Sequence, residues 1–157
     1  MTSGIGYDVH RFGDDARRLV LGGVEIAGEA GLVGHSDADV VTHAVMDALL
    51  GAAGRGDIGE HFPDDDAGFE GADSIELLGR VVQDIAGWRV TNVDVTVIAE
   101  RPRLTPYKAR MVERLAEAMR VEPSRVNVKA TTNEGMGFVG RGEGIAALAV
   151  AQIERDA

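Results

Sequence analysis

Cysteine is missing from all 157 residues. Disulfides, thiolate metal sites and covalent thiol catalysis are therefore excluded, and the redox compartment stays open. Positive charge is scarce: 16 Lys and Arg stand against 26 Asp and Glu, a net charge of −10. So acidic a chain is a poor partner for nucleic acid or an anionic membrane surface, and an anionic substrate must find its positive charge locally. The longest apolar run, Ile145 to Ala151, falls far short of the roughly 20 residues of a membrane helix. No basic-then-apolar leader precedes the first motif near Met1, and the expected location is cytoplasmic. No internal repeat or linker stands out. There is no G-x-S-x-G elbow, and Gly140-Arg141-Gly142-Glu143-Gly144 lacks the Walker lysine–hydroxyl pair, so neither a serine nucleophile nor a P-loop is supported. With 45% hydrophobic and 27% charged residues, the chain reads as one globular domain over 1–157.

Apolar periodicity supplies the elements. Ile5 to Phe12 reads as a strand with Tyr7 and Val9 on one face and Gly6, Asp8 and His10 on the other. Leu19-Val20-Leu21 and Val24-Glu25-Ile26 flank Gly22-Gly23 as a hairpin. Ser36 with Asp39 three residues on predicts a capped helix starting near Asp37, greasy along Val40, Val41, Ala44, Val45, Ala48 and Leu49. On its polar side lie Asp39, His43 and Asp47. A second capping signature, Asp73-Ser74-Ile75-Glu76, opens a helix that Gly87 ends, and Thr105-Pro106 predicts the start of a third. Val93 to Val97 and Val126 to Ala130 alternate as strands. Gly144 to Ile153 is apolar on both faces, and strand is the favoured reading. The sum is an α+β fold: a mainly four-stranded mixed sheet with helices on one face.

Asp8 and His10 leave the same strand face, and with His43 they form a carboxylate and two imidazoles, a set that suits zinc with one coordination position open. Spacing alone favours scattered polar residues, because D-x-H with a distant His is common by chance. His61 sits in a loop after Glu60 and is left outside the set. His35 and Ser36 lie at a helix start, where free N–H groups attract phosphate, although capping alone explains them too. Asp57 between glycines fits either a sugar-diol clamp or a turn residue, and Asp64, Asp65 and Asp66 either a ligand loop or a solvated one. Thr131, Thr132 and Glu134 follow a strand and offer hydroxyls and a carboxylate to a diphosphate and a hard cation such as magnesium or manganese.

Taken in order, Gly6-Tyr7-Asp8-Val9-His10, Gly34-His35-Ser36-Asp37, Gly56-Asp57-Ile58-Gly59, Phe62-Pro63-Asp64, Asn92-Val93-Asp94-Val95, Val126 to Thr132 and Gly140 to Gly144 resemble the 2-C-methyl-D-erythritol 2,4-cyclodiphosphate synthase family over essentially the entire chain. The resemblance implies an αβ sandwich whose sheets face the threefold axis of a homotrimer, with active sites between subunits. It implies a metal-dependent lyase of the non-mevalonate isoprenoid route that releases CMP from a cytidine diphosphate substrate. Asp8, His10 and His43 become the ligands of zinc or another divalent transition metal, and Glu134 that of magnesium. His35 and Thr132 become catalytic. Ser36 goes to substrate phosphate, Asp57, Ile58 and Gly59 to the sugar part, and Phe62, Pro63, Asp64, Asp65 and Asp66 to a loop over the methylerythritol. Ala99, Glu100, Arg101, Pro102, Arg103, Leu104 and Thr105 would line a cytosine pocket from the neighbouring subunit. Thr131 and Asn133 would lie by the diphosphate, and Phe138 and Arg141 along a central channel able to take an isoprenoid diphosphate. Ala38, Glu70, Arg103 and Asn133 depart from the family pattern. Two rivals remain at this stage: a zinc hydrolase, and a trimeric binding protein whose zinc is structural.

Overall fold

Where Val, Ile and Ala alternate with polar residues the chain forms strands, and where they recur every three or four residues it forms helices. The computed structural model describes residues 1–13, 17–63 and 65–156. The strands are β1 (Thr2–Arg11), β2 (Leu19–Leu21), β3 (Val24–Ile26), β4 (Trp88–Ile98), β5 (Val126–Thr131) and β6 (Gly144–Arg155). The helices are α1 (Val40–Ala53), α2 (Ile58–His61), α3 (Ser74–Asp84), α4 (Lys108–Met119) and α5 (Gly137–Gly140), with 3-10 turns at Ala67–Phe69 and Pro123–Arg125. The main sheet has the order β1-β6-β4-β5, mixed as expected: β6 runs antiparallel to both neighbours and β5 parallel to β4. Parallel pairing needs a crossover, which α4 supplies. Helix α1 crosses β1 and β6 while α4 packs on β5, so the helices cover one face. Among the described residues no helix is long and apolar enough to cross a membrane.

Three of the boundaries that differ from the sequence reading have a clear local cause. Helix α1 starts at Val40 rather than near Asp37, because Ala38 takes a left-handed φ of 57° that breaks the helical path. Asp39 is its cap, accepting from the Thr42 N–H at 3.0 Å, and the Ser36 hydroxyl turns elsewhere. Helix α4 starts at Lys108, since residues 105–107 form a turn closed by the Tyr107 N–H on the Leu104 carbonyl at 2.9 Å. Strand β4 begins at Trp88, five residues early, with a bulge between Val90 and Asn92 that resets the alternation.

One packing detail sets up everything at the site. Gly4 and Gly6 lie on the inner face of β1, and a methyl on Gly6 would sit 1.9 Å from the Ala44 carbonyl oxygen. Opposite them, Ala44 and Ala48 of α1 are fully buried. Small residues on both sides let backbone approach backbone. Helix α1 is buried nearly all round, so its polar side faces protein: Asp39 is 0% exposed and holds the Gly22 and Gly23 N–H groups of the β2–β3 turn at 2.8 and 2.7 Å. Burial and the nearby Asp37 push the Asp39 carboxyl up, against the pull of its donors.

Candidate metal centre and active site

The alternation of β1 aims Asp8 and His10 at α1, and the close approach at Gly6 brings His43 to meet them. Asp8 Oδ2 lies 3.0 Å from His10 Nε2 and 3.0 Å from His43 Nδ1, and the two imidazole nitrogens are 3.3 Å apart. Four-coordinate zinc with bonds of about 2.0–2.2 Å holds its ligand atoms about 3.3 Å from one another, so this triangle has the required size. The surroundings fix the donor atoms as well. The His10 Nδ1–H donates to the Val33 carbonyl at 2.7 Å, which leaves Nε2 for the centre. His43 Nε2 is engaged by Ser36 Oγ at 3.1 Å and Ser74 Oγ at 2.9 Å, which leaves Nδ1. Lone pairs thus converge on one point, an arrangement that a cation resolves. Burial opposes the charge of Asp8, but the closeness of the His10 and His43 imidazoles outweighs it and holds this carboxyl well below the usual range. Among the described residues these three are the one group of His and acidic side chains able to share an ion. His61 is elsewhere, against Asp84 at 3.4 Å and the Arg55 carbonyl at 2.9 Å.

The triad opens into a cavity of about 310 Å³, walled by His35, Ser36, Ile58, Gly59, Phe62 and Phe69 among others. Asp57 caps the short α2 by accepting from the Glu60 N–H at 3.1 Å, and Asp47 accepts from the Ile58 N–H at 2.8 Å, pinning this segment to α1. Phe62 packs edge-on against Phe69 with ring centres 5.3 Å apart. The His35 Nε2–H donates to the Asp66 carbonyl at 3.0 Å, tying the expected phosphate ligand to the loop after Pro63. Asp66 caps its 3-10 turn, Asp65 is exposed, and Asp64 lies outside the described residues.

The other expected ligands gather at the opposite edge of the sheet. Ala99, Glu100, Pro102, Arg103, Leu104 and Thr105 line a second cavity of about 250 Å³ with Thr131 and Thr132. Arg101 is not part of that wall: its guanidinium stacks on Phe12 at 4.7 Å and approaches Glu29 at 3.9 Å. Glu100 Oε1 accepts from the Asn133 N–H at 2.9 Å and the Gly135 N–H at 3.3 Å, so it joins the two walls. Glu134 is exposed at a left-handed φ of 55°. The two cavities share no lining residue. Asp8 and Ala130 fall on one cross-strand row of β1, β6, β4 and β5, three strand spacings or about 14 Å apart. Phe138 is 38% exposed on α5, and Arg141 bonds Glu143 at 2.7 Å.

Sequence reasoning passed over four groups that organise the centre. Ser74 belongs to a capping signature in the sequence, but Asp73 does the capping and Ser74 is fully buried beside His43. Asp37 closes the Gly34-His35-Ser36-Asp37 motif and Asp47 lies on the polar side of the helix, but the sequence assigns neither a role. The Arg17 guanidinium donates to the carbonyls of Leu32, Gly34 and Ser36 at 3.2, 2.6 and 2.8 Å, fixing the loop that holds both Val33 and Ser36. Nothing local in the sequence marks Arg17, because its carbonyl partners lie 15–19 residues further along the chain.

The YgbB family model matches residues 1–154. The 2-C-methyl-D-erythritol 2,4-cyclodiphosphate synthase of Symbiobacterium thermophilum is 61% identical over 155 residues, 98% of either chain. Among solved structures, the bifunctional IspDF of Campylobacter jejuni matches with a TM-score of 0.94 at 43% identity, covering 99% of this chain and 42% of that one. An IspF of Plasmodium falciparum in a CDP complex matches with a TM-score of 0.86 at 29% identity, over 99% of this chain and 97% of that one.

Proposed function

Because the chain belongs to the YgbB family, we propose that Asp8, His10 and His43 hold zinc at the floor of an active site completed by a neighbouring subunit. The activity itself is cyclisation in isoprenoid biosynthesis: 4-diphosphocytidyl-2-C-methyl-D-erythritol 2-phosphate yields 2-C-methyl-D-erythritol 2,4-cyclodiphosphate and CMP. The observation that carries the metal assignment is the triangle of 3.0, 3.0 and 3.3 Å around one open point.

In this reaction a 2-phosphate oxygen bonds to the β-phosphorus as the bond from that phosphorus to the bridging oxygen breaks, and CMP leaves with the electron pair. The nucleophile needs no strong base, since a phosphate monoester has a second pKa of about 6 and is largely dianionic at neutral pH. The difficulty is bringing anions together inside a protein of net charge −10. Zinc at the triad and magnesium at Glu134 would supply Lewis-acid polarisation and charge neutralisation. His35 exchanges the Asp66 carbonyl for a phosphate oxygen, and Thr132 donates its hydroxyl to the same developing charge. Ser36 borders the phosphate, while Asp57, with Ile58 and Gly59, clamps the sugar hydroxyls. Phe62, Pro63, Asp65 and Asp66 close over the methylerythritol, excluding water that would otherwise hydrolyse the diphosphate. From the neighbour, Ala99 to Thr105 receives cytosine, with Thr131 and Asn133 at the diphosphate. The separation of the two cavities within one chain supports this sharing.

The assembly we propose is a homotrimer with the uncovered sheet face turned to its axis. An isoprenoid diphosphate in an axial channel would meet Phe138 and Arg141. For the metal centre, the decisive assay pairs metal analysis with CMP release. His43→Ala is expected to lose bound zinc and fall to background turnover together. Wild-type turnover in a zinc-free variant overturns the assignment.

A further inference from the structure

Which nitrogen of His43 carries hydrogen is decided outside the triad. Ser74 is 0% exposed, and its hydroxyl touches two groups of opposite demands. Asp37 Oδ1 makes a short contact with Ser74 Oγ, and Asp37 Oδ2 accepts from the Ser74 N–H at 3.0 Å. A carboxylate only accepts, so the single Ser74 hydroxyl hydrogen points at Asp37. Its oxygen then faces His43 Nε2 at 2.9 Å as an acceptor, and the hydrogen between them must belong to the imidazole. Ser36 Oγ, 3.1 Å from the same nitrogen, already accepts from the Ala38 N–H at 3.3 Å and does not fix the direction alone.

We infer that Asp37 and Ser74 form a positioning relay that holds His43 as its Nε2–H tautomer, leaving the Nδ1 lone pair for the metal. The inference rests on the metal reading above; in the metal-free protein Asp8 Oδ2, 3.0 Å from Nδ1, pulls the hydrogen the other way, and the relay opposes that pull. His10 has its own anchor outside the triad, the Val33 carbonyl. The relay also explains why α3 starts with a serine turned inward: Asp73 takes over the cap and frees the Ser74 side chain. Outer partners of this kind are worth about 10–100-fold in metal affinity.

The test uses metal-free protein labelled with 15N at histidine, read by long-range proton–nitrogen correlation, followed by zinc titration against a chelator. Wild type should show His43 with hydrogen on Nε2. Asp37→Ala removes the acceptor of the serine hydrogen, which is then free to turn to the imidazole. Hydrogen should then move to Nδ1 and zinc affinity fall about 10–100-fold, with His10 unchanged. Ser74→Ala should weaken zinc similarly, and Ser74→Thr, which keeps the hydroxyl, should restore it. If Asp37→Ala does not fold, Ser74→Ala decides the matter, since it leaves Asp37 in place. Hydrogen on Nδ1 in the wild type, or wild-type tautomer and affinity in folded Ser74→Ala, overturns the relay. Failure of the wild type to bind zinc with His43 still Nε2–H would instead remove the metal centre.

Discussion

At the scale of single residues, some carboxyls around the centre carry a charge that is costly where they sit, as the buried Asp39 does. Asp47 is an example beyond the triad. Burial pushes its carboxyl up, the Asp57 and Asp8 carboxylates add to that, and the Ile58 N–H pulls the other way. A carboxyl raised in the folded state is harder to ionise there than in the unfolded chain. The resulting cost is absent below the unfolded value of about 3.9 and is felt as pH rises through the folded one. Asparagine keeps an oxygen for the Ile58 N–H and has no charge. Asp47→Asn is therefore expected to raise the melting temperature at pH 7, with the gain shrinking towards pH 4. Calorimetry at both values checks this, and a gain independent of pH would mean that charge is not its source. Ala38 shows the same logic in the backbone, holding a left-handed φ of 57° where an alanine has no intrinsic reason to go.

At the scale of elements, the meeting of β1 and α1 sets the geometry of the triad. The Cβ of an alanine at position 6 would lie 1.9 Å from the Ala44 oxygen and 2.8 Å from the Ala48 nitrogen, both backbone atoms that move only with the helix. Gly6→Ala should cost about 3 kcal/mol, the upper end of ordinary overpacking, and lower the melting temperature by roughly 6–12 °C. It should weaken zinc binding too, because α1 carries His43 away from Asp8. Gly51→Ala is the matched control on the same helix. Its nearest contact would be 3.9 Å away, and removing a helix-interior glycine should stabilise by up to about 1 kcal/mol. Equal effects from both would mean that close packing is not what places His43. The strands, the hairpin and the three long helices were legible in the sequence because their periodicity is local. The boundaries at Val40 and Lys108 were not, since a left-handed Ala38 and a turn at 105–107 leave no mark in hydrophobic spacing. The D-x-H pair was visible as a pattern, but its union with His43 became visible only through glycines whose role is to be small. Ser74 and Arg17 stayed hidden because their partners are a ring nitrogen and three carbonyls brought close by the fold.

At the scale of the whole molecule, the uncovered face of the main sheet is divided. Ile5 pairs with Val150 and Tyr7 with Leu148 across β1 and β6, and these four are 37–66% exposed. On β4 and β5 the same face carries Asp94, which bonds Asn127 at 2.9 Å and pairs with Lys129. The Lys129 hydrogen bond holds the Asp94 carboxyl below its ordinary value. A single chain thus exposes an apolar half-sheet beside a polar one, an unequal pair of surfaces suited to head-to-tail closure into a ring rather than to a twofold contact. The same asymmetry puts the Asp8–His10–His43 triad at the β1 edge and Thr132 and Glu134 beyond the β5 edge, so in the proposed ring one chain's triad would meet the next chain's threonines. Mixing two inactive variants tests that directly. His43→Ala lacks the metal side, and Glu134→Gln lacks the neighbour's side. When the two are unfolded together and reassembled in equal amounts, a site is intact wherever a Glu134→Gln chain supplies the triad and a His43→Ala chain supplies Glu134. Random assembly makes about one site in four of that kind, so CMP release should recover to about a quarter of wild type. Sedimentation should place the reassembled species at three times the 16.6 kDa of one chain. No recovery from properly assembled mixtures would put every catalytic group in one subunit, and then the 14 Å between the sheet edges would have to be closed by movement within a chain.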